Sequence, residues 1–213
     1  MEIDFESLGS EIINPNDLLC SGSGGALAGE PVNRLFGAGN MGGFRIRGGS
    51  ESGYKLAVLY TTFEDPDWPD TLDPDTGRFI YFGDNKKPGQ ALLNTAKHGN
   101  KLLENVFEII HARPEERDRV PPFFVVSRAG HSRDVVYHGL AAPGAAGVPE
   151  AEDLIAIWKT RGRERFQNYK AVFSMLNAPR ISADWIQDLR EGRGSMTSTA
   201  PAAWTRWVQT GDY

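Results

Sequence analysis

The chain has 213 residues, 40% hydrophobic and 24% charged, with one cysteine and a net charge of −5. This describes one ordinary domain, expected over 1–213, able to bury one substantial core. An internal disulfide is excluded because Cys20 stands alone, and no apolar window approaches a membrane span. The N-terminus, MEIDFESLGSEIINPNDLLC, lacks the basic and apolar runs of a signal peptide, so a reducing, cytoplasmic setting is expected.

Residues 1–20 fit a helix or a strand equally well. The segments 21–30 and 37–53 are glycine-rich turns around a short strand, FRIR. Over Tyr54–Thr62, Leu56, Val58 and Tyr60 alternate between mostly apolar neighbours, which predicts a strand. EDPDWPDTLDPDTG cannot continue a ladder, because its prolines lack donors and its aspartates favour turns. Arg78–Phe82 returns as an aromatic strand. Asn100–Ala112 places apolar residues at 102, 103, 106, 107 and 110, a helical stripe facing a core. Further strands are predicted at Phe123–Ser127, Asp134–Ala141 and Asp153–Lys159, and Phe166–Leu176 is β-rich. Two short helices close the chain, one capped by Ser182 and one with Pro201 in its first turn. Five to seven strands around one long helix make the class α+β, a curved sheet or partly closed barrel.

Charge is distributed unevenly. The first thirty residues carry six of the 28 acids and no Lys or Arg, so the remainder is close to neutral. Within it, basic residues gather at Arg45 and Arg47, at Lys86 and Lys87, at Lys97, His98 and Lys101, and at Lys159, Arg161, Arg163 and Arg165. Such clusters are either solvated turns or, if they converge, a phosphate-binding stripe.

Between two of these clusters lies the segment richest in chemistry, Tyr54 to Asn85. Its acidic and aromatic turn (Phe63, Glu64, Asp65, Asp67, Trp68) precedes the aromatic strand carrying Tyr81. A flat heterocycle needs two aromatic faces and a carboxylate that accepts from its exocyclic amine. Tyr81 is one candidate face, Trp68 or Phe63 the other, and Asp67 or Asp65 the candidate acid. The competing reading is an aromatic strand that fills the core and a proline-rich turn with no ligand.

YKLAVLYTTFEDPDWPD followed by RFIYFGDN resembles the signature of SRA domains, readers of methylcytosine in DNA. In that comparison Tyr81 falls on the second stacking tyrosine, Phe63 on the first aromatic, and Glu64 and Asp65 on the acidic pair that opens the turn. GAGNMGGFR, with Asn40 and Met41, is similar to the glycine-bearing loop that approaches DNA near the flipped base, and NKKPG to the Asn-Lys-Arg stretch. The similarity is nearest to the N-terminal domain of AspBHI-type, modification-dependent restriction endonucleases. It departs from eukaryotic SRA domains in Phe63, which replaces a tyrosine, and in a longer turn bearing prolines and Trp68.

The resemblance implies an SRA-like (PUA-like) fold that binds double-stranded DNA carrying modified cytosine, 5-methylcytosine first, by base flipping. The base pocket would use Phe63, Glu64, Asp65, Asp67, Trp68 and Tyr81; Asn40, Met41, Arg45, Arg47, Lys86, Lys87, Lys97 and His98 would contact DNA. It also implies that these residues are the recognition part of a longer type IV enzyme. No cofactor is expected for the domain itself, while a fused nuclease domain would need a divalent metal. Consistent with that division, none of the four histidines sits in an HNH motif and no strand carries Glu-x-Lys after EDPD. The alternative is a self-contained nuclease or glycosylase using the acids Glu64, Asp65, Asp67, Asp70 and Asp73.

Overall fold

The computed structural model describes residues 1–39 and 41–213. In chain order it contains β1 (Glu2–Ile3), β2 (Leu18–Leu19), α1 (Pro31–Phe36), β3 (Phe44–Gly49), β4 (Gly53–Thr61), β5 (Thr71–Leu72) and β6 (Arg78–Phe82). These are followed by α2 (Gly99–Ala112), β7 (Phe123–Arg128), β8 (Val135–Pro143), α3 (Glu150–Asp153), β9 (Leu154–Arg161), β10 (Glu164–Met175), α4 (Ala183–Glu191) and α5 (Ala202–Thr210). Ten strands form one mixed sheet along the path β3-β4-β7-β8-β10-β6-β5, with β9 on β10 and β2 on β8. The class is α+β, with the sheet left open rather than closed into a barrel.

The centre of the sheet explains its own sequence. β4 and β7 pair in parallel, and Leu56, Ala57, Val58 and Leu59 on β4 are all buried, as are Phe123 to Val126 on β7. Strands covered on both faces read as continuous apolar runs instead of alternating ones. On α2 the apolar stripe buries Leu102, Leu103, Val106 and Phe107, as its spacing predicts. α4 is capped by Ser182, whose hydroxyl accepts from Trp185 N at 3.2 Å. α5 begins one residue later than expected: Pro201 is its cap and Ala202 its first residue. Trp185, Trp204 and Trp207 stack in series against Phe124, tying both terminal helices to the sheet.

The short helix α1 has no counterpart in the sequence reading, since six residues are too few for periodicity to show. Pro31 sits at its first position, and Glu30 caps it by accepting from Asn33 N at 2.6 Å. The other carboxylate oxygen of Glu30 pairs with the buried Arg45. Part of the acidic N-terminal charge is thus neutralised internally; Asp17 likewise binds the Met1 ammonium at 2.8 Å. No described helix is long and apolar enough to cross a membrane.

Candidate nucleic-acid interface

The acidic turn is shaped by its own side chains. Thr61 Oγ1 accepts from Phe63 N and Thr62 Oγ1 from Glu64 N. Asp65 Oδ1 then accepts from the amides of Asp67 (3.1 Å) and Trp68 (3.2 Å), an Asx-type turn between Pro66 and Pro69. Phe63 adopts φ 57°, a left-handed conformation rare for a bulky residue, as the chain reverses out of β4.

Trp68 is turned inward, only 2% exposed, against Phe82 and Phe166 in a small cluster separate from the main core. The Lys159 ammonium lies 4.9 Å from the Trp68 ring centroid and donates to Asp67 O at 2.7 Å. Arg161 pairs with Asp67 Oδ2 at 3.3 Å, and Lys86 with Asp65 Oδ2 at 3.1 Å. The β9–β10 hairpin therefore clasps the turn from one side and the Lys86–Lys87 loop from the other.

An open cleft of about 440 Å³ lies between them. It brings together Asp65, Asp67, Trp68, Lys86, Lys87 and Lys97, residues that span thirty-three positions of sequence. Phe63 and Tyr81 do not line it. Phe63 packs edge-on to His138 and Phe79 at the surface. Tyr81 is 3% exposed, meets Phe44 at 5.1 Å and donates its hydroxyl to Tyr60 O at 2.9 Å. Burial pushes its phenol well above the ordinary range. On β6, Phe79 and Tyr81 face the main core while Ile80 and Phe82 face the Trp68 cluster.

The remaining expected residues are distributed as follows. Glu64 is exposed on the turn; Met41 (52% exposed), Lys87, Lys97 and His98 are exposed as well. Arg45 is buried against Glu30 and Gly42 O, with the Tyr60 ring 4.4 Å away. Arg47 donates to Arg190 O and Gly37 O, both at 2.8 Å, so it braces two loops. Asn40 lies outside the described residues. His111, in the last turn of α2, pairs with Asp153 at 2.9 Å.

Sequence reasoning missed a set of asparagines that holds the lysine loop. Asn168 on β10 accepts from Asn85 N (3.1 Å) and Asn100 Nδ2 (3.0 Å) and donates to Gly83 O (2.9 Å). Asp84 caps α2 through the amides of Gly99 and Asn100. A Cβ on Gly83 would collide with both Asn100 and Asn168, which is why the strand ends on glycine. The signal was present in GDNKK and FQNYK, but only as single polar letters.

Asp70 was also passed over as a pocket residue. It is 8% exposed, and its carboxylate accepts from Phe82 N at 2.9 Å. Burial raises its pKa to about 6, outweighing the lowering by that bond and by Thr61. The acids of the turn do not converge: Asp65 faces Lys86, Asp67 faces Arg161, Asp70 is interior and Asp73 closes its own turn with Thr76. Among the described residues no group of three His, Cys, Asp or Glu side chains is placed to share a metal ion.

Residues 18–213 match the sequence profile of the family described as "Restriction endonuclease AspBHI N-terminal". The chain belongs to this family. Its fold is that of the "DNA recognition domain of the cytosine modification-dependent restriction endonuclease LpnPI", at 36% identity and a TM-score of 0.88, covering 100% of this chain and 94% of that one. A second structure, the "DNA modification-dependent restriction endonuclease AspBHI", aligns at 36% identity and a TM-score of 0.91, over 99% and 96% of the two chains. The MspJI restriction endonuclease, solved with a 27-mer oligonucleotide, shares the fold at 21% identity and a TM-score of 0.66; 92% of this chain covers 51% of that one. No curated protein matches the chain.

Proposed function

We propose that this AspBHI-type domain recognises modified cytosine, 5-methylcytosine first, in double-stranded DNA by base flipping, as the specificity module of a longer restriction endonuclease. The observation that carries the reading is the cleft that joins Trp68, the carboxylates of Asp65, Asp67 and Asp84, three lysines and Arg161, in a domain 36% identical to one named for recognition by a cytosine modification-dependent enzyme.

Extruding a base costs a few kcal/mol, and stacking returns about 1–3 kcal/mol per base. In this proposal the base stacks on Trp68 and displaces the Lys159 ammonium that now covers the ring. Asp67 accepts from the exocyclic amine, which thymine lacks. It suits that role better than Asp65, whose oxygens already hold two amides and Lys86. Lys86, Lys87 and Lys97 meet phosphates, and the exposed Met41 and His98 are further DNA contacts. The base is held without a cofactor; a divalent metal belongs to the nuclease domain to which this module is joined.

Competition binding at two salt concentrations tests this, using duplexes that are unmodified or carry 5-methylcytosine, 5-hydroxymethylcytosine or N6-methyladenine. The 5-methylcytosine duplex is expected to bind most tightly, and equal affinity for all four would reject the reading. Trp68→Ala should weaken modified DNA selectively, by about 1–3 kcal/mol. Lys87→Ala should weaken every duplex alike and lower the salt slope by about 0.9.

A further inference from the structure

Two more clefts continue from the candidate base site across the foot of α2. The first shares Ala96 and Lys97 with a neighbour of about 370 Å³ beside Ile46 and Gly48. That neighbour shares Ser50, Tyr54 and Lys101 with a recess of about 320 Å³. The recess lies between the β3–β4 hairpin, α2, the entry to β7 and the C-terminal end of α4.

Its chemistry differs from that of the first cleft. Ile109, Val120, Pro121 and Leu189 make an apolar wall, and Tyr54 adds a half-buried aromatic face. Lys55 and Lys101 stand beside it, and among the described residues neither ammonium has an ion-pair or hydrogen-bond partner. Lys55 Nζ lies against Gly192, where an added Cβ would come within 2.8 Å of it. Arg119 is already held by Glu116. Ser195 is 8% exposed and its Oγ has no partner, although its carbonyl accepts from Trp185 Nε1 at 3.1 Å. A buried hydroxyl left unpaired costs about 1–3 kcal/mol.

Two uncommitted ammonium groups and an unsatisfied hydroxyl beside an apolar and aromatic wall suit a ligand with an anionic end and a flat ring. The volume is at the small end of ligand sites, too small for a duplex and large enough for one nucleotide. We propose that this recess is a second nucleotide site, which takes a phosphate-bearing nucleotide with its phosphate at Lys55 and Lys101 and its ring against Tyr54 and Pro121. The nucleotide comes either from an unpaired DNA end led along Lys97, a source that rests on the DNA-recognition reading, or from free mononucleotide in solution.

Calorimetric titration of the full chain with deoxycytidine monophosphate and with inorganic phosphate tests the site. The nucleotide should bind more tightly than phosphate, and Lys55→Ala and Lys101→Ala should each weaken it at least tenfold. Neither ammonium has a partner among the described residues, so thermal unfolding should change little, and Lys55→Gln, which keeps the side-chain stem against Gly192, should reproduce the loss. A duplex with a single-stranded overhang, compared with a blunt one, separates the sources. An overhang gain removed by Lys55→Ala assigns the site to DNA ends; equal binding of both duplexes with lysine-dependent nucleotide binding assigns it to free nucleotide. The proposal is overturned if neither nucleotide nor overhang binds at the site, or if both lysine substitutions leave binding intact. Failure of the base reading would look different: wild-type protein would not discriminate modified from unmodified duplex, while the nucleotide result would stand.

Discussion

Glu30→Ala is expected to destabilise the protein by about 3–5 kcal/mol, since it strands a buried charge. Glu30 and Arg45 side chains are 2% and 3% exposed, and their pair is completed by Asn33 N on the acid and Gly42 O on the guanidinium. Removing the acid leaves Arg45 desolvated and also uncaps α1. Against a typical total of about 5–15 kcal/mol, that loss is large enough to expose a sizeable unfolded fraction in mild urea. The double substitution Glu30→Gln with Arg45→Met removes the charge pair together and should recover most of the loss. Urea melts of the three proteins check this; a Glu30→Ala midpoint within error of wild type would contradict it.

Asp70→Asn should stabilise the protein, by an amount that grows from about pH 4 to 6 and levels off above it. The folded pKa of Asp70 is raised from the ordinary value of 3.8 to about 6. A raised acid contributes fully below the unfolded pKa and loses that contribution as pH rises through the folded one. Wild-type stability from this group therefore falls between about pH 4 and 6 and stays low above it. At about 1.4 kcal/mol per unit, the neutral amide should be more stable by up to about 3 kcal/mol at pH 8, with little difference near pH 4. Asparagine keeps an acceptor for Phe82 N and can donate to Thr61, so the local bonds survive. Denaturation at pH 4, 6 and 8 checks the sign, and a difference independent of pH would overturn it. Phe82 belongs to the cluster that seats Trp68, so Asp70 holds the wall behind the proposed base site.

The parity of β6 illustrates where sequence reasoning stops. The run FIYF announces a strand, and the notional stacking residue Tyr81 is its most polar aromatic. Alternation establishes that Phe79 and Tyr81 share one face and Ile80 and Phe82 the other, but not which face meets the acidic turn. In the structure it is Phe82 that touches Trp68, while Tyr81 is committed to the core and to Tyr60 O. A one-residue difference in assignment exchanges the whole set. β3 poses the same problem: Arg45 and Arg47 read as surface cations, yet their partners Glu30, Gly37 and Arg190 lie far off in sequence or follow a loop.

What the chain alone determined was local or short in range. The apolar run of β4, the stripe of α2, the Ser182 cap and the turn made by Asp65 between two prolines follow from periodicity and side-chain chemistry within a few residues. Asp67, Trp68, Lys86, Lys87 and Lys97 are candidate contacts through the family resemblance, while the chain leaves open whether its basic clusters converge; the fold gathers them at one cleft. Tertiary structure alone decided which charges are spent inside the fold, as at Arg45, and which remain free, as at Lys55 and Lys101. It also decided that Asn85, Asn100 and Asn168 brace the lysine loop. Burial and partner choice depend on segments tens of residues apart, and no local pattern records them.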